Sequence, residues 1–160
     1  MKTNKIDKHS YILIGVVIAW MVVIFYFSAQ PGTDSTQISS KIAQHLMDFF
    51  DWIFNGDSPS FIKDVILNGD HYVRKSGHAI EFAILGGLTA SLFARLLIGK
   101  YHIIALAVCT IYAASDEFHQ LFVEGRAARL SDIVLDTIFA FAAIIIVYFI
   151  KRRKKSLVNI

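Results

Sequence analysis

The sequence predicts an all-α membrane protein: a bundle of four transmembrane helices with an amphipathic helical segment outside the membrane between spans one and two. Two observations lead to this prediction. The 160-residue chain is 55% hydrophobic, with a mean hydropathy of +0.52. Four apolar runs also approach the roughly 20 residues that cross a ~30 Å hydrocarbon layer. We expect one domain over residues 1–160, with spans at about 10–30, 77–98, 101–120 and 131–150.

Span one follows Lys2, Lys5 and Lys8, the pattern that also begins a signal peptide. Its apolar stretch is longer than the 7–15 residues of a typical signal core, and no small-x-small cleavage site follows it. We therefore expect a retained span, which ends where Pro31 and Gly32 stop the helix.

Residues 31–76 form the predicted outer loop. Apolar side chains recur there at helical spacing, which predicts an amphipathic helix. These side chains are Ile38, Ile42, Leu46, Phe49, Phe50, Ile53 and Phe54. Two placements stay open, since such a helix either lies in the membrane interface as a lid or packs on the outer ends of the spans.

The later spans are delimited by polar and small residues. Span three reaches 20 residues only if DEFHQ (residues 116–120) forms its outer end, and Ser131 is a suitable N-cap for span four. In span two, the pair Gly86 and Gly87 predicts a close helix contact.

Basic residues predict the orientation of the bundle. Lysines before span one, Arg95 and Lys100 between spans two and three, and the basic tail 151–160 fall on one side if there are four spans. Because such residues mark the cytoplasmic side, both termini are predicted to be cytoplasmic. The net charge of +3 then follows from topology, and it gives no reason to expect nucleic acid as a partner.

This topology places the polar residues of four segments on the outer side. His78 and Glu81 are three residues apart, Asp116 shares a helix face with His119 and Gln120, and Asp132 lies one turn before Asp136. Charged residues inside a membrane are costly unless they are paired or wetted. We therefore expect these groups to face one another around an outer polar pocket.

Three segments resemble the VanZ-like membrane proteins, named for an accessory glycopeptide-resistance protein associated with reduced teicoplanin susceptibility. The segments are FSAQPG (residues 27–32), RKSGHAIEFAILG (74–86) and DEFHQLFVEGRAARLSD (116–132). The resemblance implies an integral membrane protein of bacteria and some archaea, often with four spans, and no settled reaction. The residues of the family pattern are Ser28, Gln30, Lys75, His78, Glu81, Asp116, Glu117, His119, Gln120, Gly125, Arg126 and Asp132. Asp136 departs from it, since many relatives are expected to have Asn there.

A weaker similarity concerns mechanism. KSGH (residues 75–78) and the spacing of Arg126, Asp132 and Asp136 resemble the motifs of membrane lipid-phosphate phosphatases. In those enzymes basic residues hold the phosphate and a histidine attacks phosphorus, whereas here Asp132 stands at the nucleophile's position. A carboxylate can form an acyl-phosphate.

We accordingly expect the pocket to bind or modify a membrane lipid or lipid-linked anionic head group in the bacterial cell membrane. The expected catalytic candidates are His78, Glu81, Asp116, Glu117, His119 and Asp132. The expected ligand-binding residues are Lys75, Gln120, Arg126, Ser28 and Gln30.

Several alternatives remain open at this point. A metal site could use His78, Glu81, Asp116, Glu117 and His119. The charged cluster could instead be a purely structural network of a membrane scaffold, and a small transporter is a third reading. The sequence assigns no cofactor or oligomeric state, and the activity as a lipid-phosphate hydrolase or transferase stays undecided.

Overall fold

A computed structural model describes residues 7–67, 70–96 and 100–158, and these residues form six α-helices. No β-strand occurs in the described part of the chain, which confirms the all-α class. The helices are α1 (Lys8–Ser28), α2 (Gly32–Ile53), α3 (Ser60–Leu67), α4 (Asp70–Leu96), α5 (Tyr101–Gln120) and α6 (Leu130–Val158).

The helices α1, α4, α5 and α6 form a bundle in which successive helices alternate in direction. α4 lies centrally and contacts the other three. The indole nitrogen of Trp20 donates to the Glu81 carbonyl (3.0 Å), while Arg95 pairs with Asp7 (2.9 Å), so α1 and α4 are antiparallel. The Tyr112 hydroxyl donates to the Met21 carbonyl (2.6 Å), beside the end of α1. The ends of α1 and α5 therefore meet the beginnings of α4 and α6, at what we call the polar end.

Apolar residues occupy both the interior and much of the exterior of this bundle. Ile24, Phe82 and Leu85 are fully buried in its main core, with Ala113 and Ala140 beside them. Large apolar side chains are also exposed on the outer faces, and they include Ile18, Val22, Ile111, Ile138 and Ile146. A protein with an apolar exterior as well as an apolar core is suited to lipid surroundings.

Three helical segments in the described residues are long and apolar enough to cross a membrane: Lys8–Ser28, Lys75–Leu96 and Leu130–Arg153. The chain is therefore a membrane protein with three such segments. α5 has 20 residues but is not among them, since its last turn contains Asp116, Glu117, His119 and Gln120. A fourth span at 101–120 consequently stays an expectation.

The connection between spans one and two is largely helical. Ala43 and Met47 of α2 are buried against Ile66 of α3, with Phe50 packed beside them. Five residues of the predicted apolar stripe are exposed instead: Ile42, Leu46, Phe49, Ile53 and Phe54. α2 also contacts α4, so it is held near the bundle while this apolar face stays uncovered by the described chain.

Several element boundaries differ from those predicted. α4 begins at Asp70, inside the predicted loop 31–76, and α6 continues through the basic segment to Val158. The N-cap prediction for Ser131 is wrong, because the helix already begins at Leu130 and the Asp132 amide bonds to the Arg129 carbonyl (2.9 Å). Lys2, Lys5, the spacer 97–99 and the side chains of Ile38, Arg74 and Lys155 lie outside the described part.

Candidate functional site

The polar end contains a pocket of about 230 Å³ between α4, the end of α5, the following loop and α6. It is lined by Lys75, His78, Glu117, Gln120, Gly125, Arg126, Ala127, Arg129, Asp132, Leu135 and Asp136. Six of the eleven predicted site residues are thus brought together here: Lys75, His78, Glu117, Gln120, Arg126 and Asp132. Helix direction explains this, since α5 ends where α4 and α6 begin.

One wall of the pocket holds an ion pair between two parallel helices. The Lys75 ammonium on α4 lies 2.6 Å from an Asp132 carboxylate oxygen on α6, and both side chains are partly exposed. Asp132 stands in the first turn of α6, where the helix dipole also favours a negative charge. Asp132, which stands at the position of the nucleophile in the lipid-phosphate phosphatases, is therefore already paired with a cation.

One turn deeper, His78 faces Asp136. His78 Nδ1 lies 3.9 Å from Asp136 Oδ2, which is too long for a hydrogen bond. His78 Nδ1 and both carboxylate oxygens of Asp136 are buried and lack a hydrogen-bond partner within the described chain. Because most buried polar atoms in proteins are hydrogen-bonded, three such atoms at one place are unusual.

A buried hydrogen-bond triangle lies beside the pocket, where α1 meets α5. The Ser28 hydroxyl donates to Asp116 Oδ2 (2.9 Å), and the Gln120 amide donates to both Ser28 Oγ (3.0 Å) and Asp116 Oδ2 (3.1 Å). All three side chains are buried. The triangle joins two helices through predicted site residues, and only Gln120 also lines the pocket.

Arg126 fixes the loop after α5 to the end of α1. Its Nε donates to the Gln30 carbonyl and its Nη2 to the Phe27 carbonyl, each at 3.0 Å. Both carbonyls lie at the end of α1, where the last carbonyls of a helix lack the i+4 amide that pairs them elsewhere. Part of the arginine fork is therefore used to hold α1, while the residue still lines the pocket.

Two glycines allow this close approach. The Gly32 amide donates to the Glu124 carbonyl (2.9 Å), and a Cβ on Gly32 would lie 2.7 Å from the Gly125 carbonyl carbon. Gly125 has φ +72°, a left-handed conformation that favours glycine. Gly125, a residue of the family pattern, thus allows the backbone conformation and the close approach of the two segments.

Glu117 positions the start of α6. Its Oε2 accepts a hydrogen bond from the Arg129 amide (2.8 Å), just before the helix begins at Leu130. The side chain of Arg129 is exposed at the opening of the pocket.

Five predicted site residues do not line the pocket: Ser28, Gln30, Glu81, Asp116 and His119. Glu81 and Asp116 are close enough for their charges to interact. His119 packs its ring against Phe25, with centroids 4.4 Å apart. Across residues 7–67, 70–96 and 100–158, no three His, Cys, Asp or Glu side chains come close enough to hold a metal ion.

Arg129 and Asp136 line the pocket but were not among the expected catalytic or ligand-binding residues, although Asp136 was expected to face the polar pocket. Helical spacing carried the signal for Asp136, which lies four residues after Asp132 on the same face. For Arg129, its position three residues before Asp132 could have indicated that it lies near the pocket.

Comparison with known proteins agrees with the motifs. Residues 13–151 match the family model described as VanZ/LLP1. No curated protein and no solved structure is matched.

Proposed function

Since this chain belongs to the VanZ/LLP1 family of membrane proteins, we propose that its pocket binds the phosphate-bearing head group of a membrane lipid or lipid-linked molecule. The observation that carries this proposal is the pocket itself, in which Lys75, Arg126 and Arg129 line one recess at the end of an apolar bundle. Arginine and lysine are the side chains that proteins use to hold phosphate.

The location of the pocket supports a lipid as the source of that phosphate. α4 and α6 pass directly from membrane-compatible segments into the pocket walls at Lys75 and Asp132. A head group at the membrane surface would therefore reach the pocket while its chains stay beside apolar helix faces. The exposed apolar face of α2 would lie in the same interface.

The proposed orientation has four spans, with α5 as the third and both termini in the cytoplasm of a bacterial cell. In support, Lys8, Arg95, Lys100 and Arg152 all belong to the helix ends opposite the pocket. Cytoplasmic ends carry the excess of basic residues, so the pocket would open on the outer surface.

The geometry supports binding better than hydrolysis. Asp132 is paired with Lys75, and His119 stands outside the pocket against Phe25, so a nucleophile and a second histidine are not set on either side of one phosphate. His78 is the histidine that lines the pocket. We therefore propose that recognition of the head group comes first, with any chemistry assigned to His78 and Asp132.

A link to teicoplanin susceptibility would be indirect. The pocket is smaller than the roughly 300–1,000 Å³ that drug-sized ligands occupy, so a glycopeptide does not fit within it. The protein would instead change susceptibility by binding lipid head groups and so altering their availability at the outer surface.

Native mass spectrometry of the purified protein tests the proposal, with phosphatidylglycerol as the probe. We expect Lys75→Gln and Arg129→Gln each to weaken binding roughly tenfold, equivalent to about 1.4 kcal/mol. The matched control is Lys41→Gln, an exposed charge on α2 that does not line the pocket. Equal binding by all four proteins would reject the proposal.

A second candidate is a non-catalytic membrane scaffold, favoured by the triangle of Ser28, Asp116 and Gln120 and by the bonds from Arg126 to α1. These contacts join helices without any ligand. The scaffold reading predicts that Lys75→Gln lowers the unfolding temperature and leaves lipid binding unchanged. The lipid-binding proposal predicts a loss of binding at a preserved fold.

A further inference from the structure

The inner end of the pocket differs in charge from its opening. Side-chain exposure falls from Arg129, which is exposed, through Lys75 (26%) and Asp132 (23%) to His78 (19%) and Asp136 (1%). The opening is therefore lined by Arg129 and by the ion pair of Lys75 with Asp132, and the most deeply buried charged residue of the pocket is the acid Asp136. A ligand that enters this pocket meets the cations Arg129 and Lys75 before it reaches Asp136.

The acid at the inner end has no cationic partner at hydrogen-bonding distance within the described residues. Lys75 contacts Asp132 instead, and His78 Nδ1 is 3.9 Å from Asp136 Oδ2. Other acids, among them Asp116 and Glu117, are near enough for their charges to act on Asp136. A buried carboxylate in such surroundings is costly unless a cation and hydrogen bonds compensate it.

Among the residues that the structure describes, no donor reaches three acceptor positions here. They are Oδ1 and Oδ2 of Asp136 and, in the tautomer that carries its proton on Nε2, Nδ1 of His78. A primary ammonium group has three N–H donors and one positive charge. Its donors match the unpartnered acceptors in number, and its charge opposes that of Asp136.

From this match we infer that the inner end of the pocket is a binding subsite for a primary ammonium group, and that the preferred ligand is a phosphoethanolamine-type lipid head group. This inference rests on the proposed function, because the phosphate is held by the cations at the opening. In such a head group the ammonium is the free end and the phosphate lies toward the glycerol. Insertion by the free end brings both charges to side chains of opposite sign.

The first test uses the wild-type protein and a series of lipids, measured by native mass spectrometry. Phosphatidylethanolamine is expected to bind about tenfold more tightly than phosphatidylglycerol, as hydrogen bonds to a charged group are strong. Affinity should fall stepwise through N-methyl and N,N-dimethyl phosphatidylethanolamine to phosphatidylcholine, which has no N–H donor. Equal affinity for all lipids of the series would overturn the inference. This test uses only the wild-type protein, so its outcome does not depend on whether a variant folds.

The second test uses Asp136→Asn, which keeps the shape of the side chain and removes its charge. We expect the variant to bind phosphatidylethanolamine about tenfold more weakly, so that its preference for this lipid over phosphatidylglycerol is lost. The control is Asp48→Asn, the same change at an exposed position on α2. An unchanged preference in Asp136→Asn would overturn the ammonium subsite.

The two proposals fail in different ways. If phosphatidylglycerol binds and depends on Lys75 and Arg129, but ethanolamine brings no gain, the phosphate pocket stands and the ammonium subsite does not. If neither lipid binds, both proposals are rejected.

Discussion

Helices α4 and α6 meet in two contrasting ways, in the middle of the bundle and at its polar end. In the middle, a Cβ on Gly86 would lie 2.8 Å from the Ala140 Cα, so the two backbones are nearly in contact. At the polar end, the same helices are joined by Lys75 and Asp132, while His78 and Asp136 have polar atoms that find no hydrogen-bond partner in the described parts of the chain. The first contact leaves no space between the helices, and the second encloses a pocket.

This difference indicates that the contact in the middle holds the bundle together, whereas the polar end is available to bind a ligand. Close packing of small residues is a main source of helix association in lipid. Unsatisfied buried polar groups lower stability, and proteins tolerate them chiefly where function requires them. We therefore expect substitutions in the middle to act on folding and substitutions at Asp136 to act on binding.

The largest effect is expected from Gly86→Ala. The new methyl group would meet the backbone of Ala140, including its carbonyl oxygen, and a helix backbone cannot move aside as a side chain can. We expect a loss of about 3 kcal/mol of stability, the upper part of the range for overpacking. Thermal unfolding of the purified protein in detergent measures it.

Gly87→Ala is the matched control for this prediction. A Cβ on Gly87 would have no atom of the described residues within 4 Å outside its own helix backbone. Alanine favours a helix over glycine by about 1 kcal/mol, so this variant is expected to be as stable as the wild type or more so. Similar losses in both variants would contradict the close contact at Gly86.

An intermediate effect is expected from Ser28→Ala, which breaks the buried triangle at the polar end. Asp116 Oδ2 would lose one donor and the Gln120 amide one acceptor, while Asp116 Oδ1 is already without a partner in the described chain. Leaving buried polar groups unsatisfied costs about 1–3 kcal/mol. The unfolding temperature measures the loss, with the exposed Ser76→Ala on α4 as control.

If Ser28→Ala were as stable as Ser76→Ala, the triangle would not hold α1 to α5. A loss of lipid binding at unchanged stability would move Ser28 from a structural role to the ligand-binding role that the sequence suggested.

The sequence predicted the family, the all-α class and the meeting of polar residues, because these follow from motifs, hydropathy and helix direction. Contacts between distant segments could not be predicted. Arg126 donates to the carbonyls of Phe27, in α1, and Gln30, just after it, which lie 99 and 96 residues away, and no local spacing encodes such a pair.

The apolar pattern of α2 predicted a helix but not which of its faces would be covered. In water the apolar stripe of a helix turns to the protein core, whereas a lipid-facing helix can leave that stripe outside. Here Ala43 and Met47 face α3, and Leu46 and Phe49 are exposed. Gly86 and Gly87 were likewise equivalent in the sequence, and only the orientation of α4 separates them.

The smallest effect is expected at the end opposite the pocket, where the polar contacts are exposed. Asp7 caps α1 by accepting hydrogen bonds from the Ser10 hydroxyl (2.6 Å) and amide (2.9 Å), and these bonds lower the pKa of Asp7 from 3.8 to about 2. Asp7→Ala is therefore expected to lower the unfolding temperature by no more than about 3 °C at neutral pH.

The pH dependence of that small effect follows from the sign of the shift. A carboxylate whose pKa is lower in the folded state stabilises the protein at pH values above its unfolded pKa, and this contribution is lost as the pH falls toward the folded value. The difference in unfolding temperature between wild type and Asp7→Ala should shrink from about pH 4 to pH 2. Because both proteins share every other carboxylate, that difference isolates Asp7. A difference that stayed constant over this range would show that neither the cap nor the ion pair with Arg95 depends on the charge of Asp7, and would leave the helix end to be held by backbone hydrogen bonds.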